Sequence, residues 1–180
     1  KRQVYGLDKN GKESELGTAS VSLEKDVLGK NKDLKLTPMD IYDKDKPEVK
    51  VGELTVAVTA LEVLNAKGGE SGGGGGAGGG VITLEIKEIN LKDPPSARGG
   101  MQVLVDMLGV SELEEPTKRG AAKASGVWAF EYARDFSAAS GTKLRDAISA
   151  ALVSEDRQDS EVLLVVQALE RGGGDATDVG

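Results

Sequence analysis

The chain has 180 residues and is acidic, with 30 Asp and Glu against 23 Lys and Arg and a net charge of −7. This balance argues against general nucleic-acid binding, because a phosphate-binding surface is normally basic. The absence of cysteine excludes disulfides and thiolate-metal sites, and the absence of histidine removes the commonest general base and zinc ligand.

A glycine-rich stretch interrupts the chain at residues 67–80, KGGESGGGGGAGGG, and holds ten of the 25 glycines. No side chain there can pack, and glycine loses more conformational entropy on ordering than any other residue. We therefore predict a flexible linker or insertion that separates residues 1–66 from residues 81–180. The sequence starts without methionine and ends on a loop-like stretch, so we expect a segment of a longer intracellular protein.

The first part of the chain has the patterns of β-strands. Ala19, Val21 and Leu23 alternate with polar residues, which predicts a strand with one buried face. The segment LKLTPMDIYD is expected to be irregular or to lie at a sheet edge, because Pro38 cannot donate to a ladder. The segment GELTVAVTALEVL has the clearest alternation of this part and predicts another strand.

Four strands are predicted in the second part, at VITLEIKEINL, MQVLVDML, VWAFEYARDF and EVLLVVQAL. The apolar phase of the first slips after Ile86, which predicts a β-bulge near Lys87–Glu88. Trp128, Phe130 and Tyr132 alternate along the third and are expected to pack in the core. The fourth is apolar on both faces, which indicates a central strand.

One helix is predicted between the last two strands, within SGTKLRDAISAALVS, with Thr142 as its N-cap. Its apolar face is formed by Leu144, Ile148, Ala151 and Leu152. The polar segment 109–126 is predicted to be a loop. Seven or so short strands, with one short helix at about 142–153 in a strand connection, predict a mainly β fold, an antiparallel β-sandwich.

The opening of the chain resembles the junction of a C2 domain, in which a strand end, an acidic calcium loop, an apolar residue with glycine and a new strand follow one another. Here the corresponding parts are Val4–Tyr5, a polar loop, Leu16–Gly17 and Ala19–Leu23. The segment GELTVAVTAL is similar to the closing strand of that family. Residues Asp178–Gly180 follow the last strand and its polar loop in the way that Glu15–Gly17 follow the first.

The aromatic strand, the helix and the apolar strand after it are similar to the C2 domains of the retinitis pigmentosa GTPase regulator-interacting protein family. Those proteins are ciliary scaffolds whose C2 domains mostly bind proteins. The repeated triplet implies that residues 1–66 are the C-terminal half of one C2-like sandwich and residues 81–180 the N-terminal part of another. Because two or three strands are not stable alone, the two parts either close into one sandwich or depend on neighbouring repeats.

The resemblance places three calcium-loop positions at Gly6, Asp8 and Ser14, of which only Asp8 is a carboxylate. Calcium takes about six to eight oxygen ligands, several of them carboxylates, so we expect vestigial positions that bind no metal. The glycine also comes too early for an EF-hand loop. The dipeptide Asn10–Gly11 favours a plain hairpin turn.

Other candidate sites are weaker. Lys118, Arg119 and Lys123 are possible contacts for a protein partner or an acidic lipid head group, although an ordinary solvated loop is the favoured explanation. The acidic cluster in MDIYDKDKPE is interleaved with lysines and is expected to be a solvated edge. No side-chain pair has a spacing that implies catalysis, so we predict no catalytic residue and no cofactor.

Together with the strand pattern, the resemblance implies a non-enzymatic, calcium-independent C2-like protein-interaction module of a large scaffold or structural protein. The expected partners are other proteins of a large assembly and neighbouring repeats of the same chain. The resemblance implies a location in a cilium, flagellum or cytoskeleton. The alternatives are a peripheral membrane C2 domain that recognises acidic phospholipids and, less favoured, a docking domain of an enzyme or regulatory subunit.

Overall fold

The computed structural model describes residues 13–66, 80–95 and 100–169. Within these ranges the chain forms nine strands and two α-helices. The strands are β1 (Glu13–Ser22), β2 (Leu34–Asp43), β3 (Lys50–Thr59), β4 (Val81–Leu91), β5 (Met101–Met107), β6 (Glu115–Pro116), β7 (Ala121–Ala124), β8 (Val127–Ser137) and β9 (Glu161–Leu169). The helices are α1 (Leu61–Asn65) and α2 (Lys143–Val153).

The nine strands form one antiparallel sheet in the order β6-β5-β9-β1-β2-β3-β4-β8-β7. The sheet curls until its two ends meet. Met101 of β5 forms a bridge with Gly120, just before β7. Glu115 of β6 accepts a hydrogen bond from the Tyr132 hydroxyl of β8 at 2.9 Å and forms an ion pair with Arg134. The predicted mainly β, antiparallel, sandwich-like fold with a short helix is confirmed.

Strands from both sides of the glycine-rich stretch share this sheet, because β1 pairs with β9 and β3 pairs with β4. Their inward faces form one hydrophobic core, in which Val21, Leu54, Ile86 and Leu164 are fully buried. The assignment of the two parts to two C2-like sandwiches stays a prediction. The predicted linker, apart from Gly80, lies outside the described residues.

Several local predictions are confirmed. The register between β4 and β8 shifts between Ile86 and Glu88, where the bulge was expected. Strand β9 lies inside the sheet, between β5 and β1. Helix α2 starts after Thr142, whose hydroxyl accepts a hydrogen bond from the Arg145 amide at 3.2 Å. Sequence patterns thus locate those features that depend on a few neighbouring residues.

The predictions for two segments are only partly right. The segment LKLTPMDIYD forms β2, whose register against β3 shifts twice as an irregular strand does, but β2 lies between β1 and β3 and not at a sheet edge. The polar segment 109–126 is not only loop, since it contains β6 and β7 at the two ends of the sheet. Strand β7 forms a hairpin with β8 across the Ser125–Gly126 turn, and β6 pairs back with β5. Both strands are too short and too exposed to show an alternating apolar pattern.

Helix α1 was not expected, and Arg145 of α2 stabilises its end. The Arg145 guanidinium donates to the carbonyl oxygens of Val63 at 3.0 Å and Ala66 at 2.7 Å. The last carbonyl groups of a helix have no partner within the helix, and a cation there also complements the helix dipole. Arg145 therefore ties the second part of the chain to the first.

Candidate functional site

The curled sheet is nearly split between β1 and β2. Only two residue pairs join these strands, Gly17 with Asp43 and Thr18 with Tyr42. Beyond them, β1 continues to pair with β9 as far as Ser22 but no longer pairs with β2. The strands diverge and leave a cleft of about 440 Å³, which we call the β1–β2 cleft. It is lined by Thr18, Ala19, Ser20, Pro38, Met39, Asp40, Tyr42, Glu161 and Leu163.

The backbone of β1 turns hydrogen-bonding groups toward this cleft. The Lys44 amide donates to the Leu16 carbonyl oxygen, so the backbone of Leu16 faces β2. Backbone groups of successive residues face opposite sides of an antiparallel strand, so those of Thr18 and Ser20 face β2 as well. Thr18 has a partner there in Tyr42. Ser20 lies beyond the last pair and presents its N–H and C=O to the cleft.

Pro38 limits how far a ladder between β1 and β2 could extend beyond Tyr42 and Asp40. The Asp43 amide donates to the Val49 carbonyl oxygen, just before β3, at 2.9 Å, so the backbone of Asp43 faces β3. By the same alternation the backbone of Tyr42, Asp40 and Pro38 faces β1. Proline has no N–H to donate, so a ladder with β1 cannot continue past this position. The sequence signal at Pro38 was therefore real, although it marks an open gap inside the sheet and not its edge.

Apolar groups form the walls of the cleft. Met39 packs partly against the core, and Leu163 is half-buried on the outer face of β9. Tyr42 is 40% exposed, and its hydroxyl lies 3.5 Å from Asp40 Oδ2. The cleft thus combines open backbone groups with apolar side chains, and this combination suits a polypeptide in extended conformation.

The acidic side of the cleft is organised by Lys50. Its ammonium lies 2.6 Å from Asp40 Oδ1 and 2.7 Å from Glu53 Oε1. Hydrogen bonds to Asp40 and then Glu53 raise the pKa of Lys50. One cation between two carboxylates leaves this group with a net charge of −1.

Glu161, at the start of β9, supplies a second carboxylate. Burial raises the pKa of this carboxyl group, and the negative charges of Asp156 and Asp26 raise it further. Asp26 is held in place by the Ser22 amide, which donates to it at 3.1 Å, and by Lys30. Among the described residues that line the cleft, the charged ones are Asp40 and Glu161, and both are acidic.

The residues predicted from the calcium-loop pattern are not brought together among the described residues. Gly6 and Asp8 lie outside the described ranges. Ser14 is exposed and lies within β1, opposite Ala168 of β9, where a loop had been expected. In the part of the chain that the structure describes, no group of three or more carboxylates is placed to hold a metal ion.

The three candidate cations lie at the far end of the sheet from the cleft. Lys118 and Arg119 are exposed between β6 and β7, and the aliphatic part of Arg119 lies beside Gly100. Lys123 is on β7, with its ammonium 3.5 Å from Glu88 Oε2. Lys118 and Arg119 are thus exposed cations, whereas the charge of Lys123 is partly offset.

The central residue of the acidic cluster, Asp43, has a structural role. Asp43 Oδ1 accepts hydrogen bonds from the amides of Asp45 at 2.8 Å and Lys46 at 2.9 Å, which orders the turn between β2 and β3. Asp40 belongs to the cleft. The sequence pattern singled out this cluster and Pro38, but Ser20, Tyr42 and Glu161 join the site only through long-range pairing.

Comparison of the sequence with protein-family models and with curated proteins found no match. Among the helices of the described residues, none has the length and apolar character needed to cross a bilayer.

Proposed function

We propose that this chain is a non-enzymatic, calcium-independent C2-like protein-interaction module of a large scaffold or structural protein. The observation that carries the proposal is the unpaired stretch of β1 at the β1–β2 cleft. A strand with open N–H and C=O groups is a template for pairing with another polypeptide. Natural complexes use this mode, in which main-chain hydrogen bonds give affinity and side-chain pockets give specificity.

The environment of Ser20 supports this use of the strand. An exposed edge strand is an aggregation hazard, and proteins usually protect it with charge, proline or distortion. Here Pro38, Asp40 and Glu161 surround the open segment and give it that protection. The cleft therefore combines an available backbone with features that discourage indiscriminate pairing.

The partners that we propose are proteins of a large assembly, including neighbouring repeats of the same chain. A location in a cilium, flagellum or other cytoskeletal structure rests on the sequence resemblance alone. The alternative function, binding of acidic phospholipid, rests on the exposed pair Lys118 and Arg119. Each cation near an anionic membrane contributes about 1 kcal/mol of attraction, so two cations give weak binding without a further signal.

Two measurements test this proposal. The first is co-sedimentation with phosphatidylserine vesicles, with and without calcium, alongside the melting temperature in millimolar calcium. A ligand that binds only the native state must stabilise it. Because we propose that this module binds no calcium, we expect no calcium-dependent sedimentation and no rise in melting temperature. Either effect would contradict the calcium-independent module and favour the membrane alternative.

The second measurement is co-purification of the intact parent protein with its native assembly. We expect Ser20→Lys, which fills the cleft, to reduce this association. The matched control is Ala133→Lys on the exposed face of β8, which adds the same side chain three strands away from β2. Equal association of both variants with the assembly would contradict a role for the cleft.

A further inference from the structure

We infer that the β1–β2 cleft binds an extended polypeptide segment that carries a cationic side chain, pairing its backbone with Ser20. This inference rests on the proposed function and names the chemical class of the partner. The C2 resemblance assigns no binding role to the residues of this cleft.

The backbone defines the conformation of the bound segment. Ser20 offers one donor and one acceptor on the β1 side, and Asp40 offers the same groups on the β2 side. An inserted β-strand can bond to groups on both walls, because its N–H and C=O groups point alternately to its two edges. A helical segment, whose backbone groups are already bonded internally, cannot satisfy them.

The side chains of the cleft suit alternating residues of such a strand. Leu163 and Met39 offer apolar contact, whereas Thr18 and Ser20 are small and leave room above β1. Tyr42 is partly exposed and can cover a side chain from the β2 side. Side chains of an extended segment alternate between two faces, so one set contacts this surface while the other points to solvent.

The charge of the cleft decides the chemistry of the segment. Asp40 and Glu161 are its two ionisable lining residues besides Tyr42, and both are acidic. Lys50 compensates only one of the two carboxylates that it contacts. On the other side, Asp156 and Asp26 lie near Glu161 and raise the pKa of its carboxyl group after burial, and Lys30 offsets the charge of Asp26. A lysine or arginine of the partner gains attraction from both sides, whereas an acidic segment is repelled.

Binding of a defined peptide tests the inference. The probe is the capped octapeptide Lys-Val-Lys-Thr-Lys-Val-Lys-Thr, titrated into the full 180-residue chain. We expect saturable binding that weakens with salt, because exposed ion pairs are screened. The same peptide with glutamate in place of lysine is expected to bind at least about tenfold more weakly. A version N-methylated at alternate residues, which removes donors on one edge, is also expected to lose binding.

Variants of the protein locate the binding. Ser20→Lys is expected to weaken binding of the lysine peptide at least about tenfold, since it adds both bulk and positive charge. Glu161→Gln keeps the shape and is expected to weaken it about three- to fivefold, the effect of one partly solvated ion pair. The matched controls are Ala133→Lys and Glu131→Gln, both at exposed positions of β8. Melting temperatures establish that each variant is folded.

Several results would overturn the inference. They are no binding of the lysine peptide up to millimolar concentration, equal binding of the glutamate peptide, and equal effects of the cleft variants and their β8 controls. Should the lysine peptide fail to bind while the native assembly still depends on Ser20, the inferred partner chemistry would be wrong and the proposed interaction module would stand. If the lysine peptide does not bind and the native assembly does not depend on Ser20, the cleft is not an interaction site.

Discussion

Gly17 of β1 lies directly against the backbone of Tyr42 of β2, so close that a Cβ atom on Gly17 would collide with the Tyr42 carbonyl oxygen. This is the point where the two strands are joined, and beyond it they separate. The register of β1 against β9 also shifts between Glu15 and Gly17, which bends β1 at the same place. The close approach therefore sets the corner from which the β1–β2 cleft opens.

Gly17→Ala should disrupt this corner. The added methyl group meets backbone atoms, which cannot rotate away as a side chain can, so we expect a loss of about 2 kcal/mol or more in unfolding free energy. Chemical denaturation measures it. Gly29→Ala is the comparison, because a Cβ there would lie 3.2 Å from its nearest neighbours and should cost less. Equal losses in the two variants would contradict the proposed close contact.

Glu115 should hold the other seam of the curled sheet closed. Its carboxylate serves both Tyr132 and Arg134 of β8, whereas a glutamine keeps one acceptor oxygen and no charge, so one of the two residues loses its partner. We expect Glu115→Gln to lower the unfolding free energy by about 1–3 kcal/mol. The neighbouring Glu114→Gln is the control. Burial raises the pKa of Glu114, so loss of its charge should be neutral or stabilising near pH 7. Similar losses in the two variants would contradict the role of Glu115.

The two leucines of α2 should respond differently to truncation. Leu144 is 1% exposed and packs in the core, whereas Leu152 is 37% exposed. We expect Leu144→Ala to cost about 2–5 kcal/mol, the range for a buried leucine that leaves a cavity. Leu152→Ala should cost less than about 1 kcal/mol. Urea denaturation of both variants is the test, and a reversed order would contradict the orientation of α2.

The stability of the chain should carry a pH-dependent contribution from Glu161. Its pKa is raised above 4.5 in the folded protein, so the native state binds this proton more tightly than the unfolded state does. The free energy of unfolding from this group therefore falls as pH rises from about 4.5 through the folded pKa. Glu161→Gln removes this loss, and the variant should gain stability relative to the parent chain across that window. Denaturation at several pH values measures the difference. Glu131→Gln controls for the loss of one charge, and parallel curves for Glu161→Gln and the parent chain would contradict the prediction.

The sequence predicts those elements whose causes are local. The Thr142 cap, the bulge after Ile86 and the central position of β9 follow from short patterns, and each is confirmed. The corner at Gly17 could not be predicted, because it depends on a carbonyl group 25 positions away. The seam at Glu115 likewise depends on a side chain from a different strand. At Pro38 the missing donor was visible in the sequence, but which neighbouring strand would lose its partner was not.

The residues of the candidate site also fall into those that a local sequence pattern indicates and those that only long-range pairing brings together. Pro38 and the acidic cluster that contains Asp40 could be singled out, whereas Glu161 enters the cleft only because β9 pairs with β1. The basic residues at 118–123 were prominent in the sequence but lie near β6 and β7, where the two ends of the sheet meet, and not at the β1–β2 cleft. The sequence shows that these residues are positively charged, but only the strand order shows which surface of the protein carries them.

Amide hydrogen exchange at three consecutive residues of β1 reports whether the β1–β2 cleft is open. The amides of Ala19 and Val21 face β9 and should be protected, whereas the Ser20 amide faces the open cleft and should exchange much faster in the free chain. Addition of the lysine octapeptide should slow exchange at Ser20 and leave its neighbours unchanged. Protection of Ser20 equal to that of Ala19 and Val21 in the free chain would contradict an open cleft. Unchanged fast exchange at saturating peptide would contradict strand pairing there.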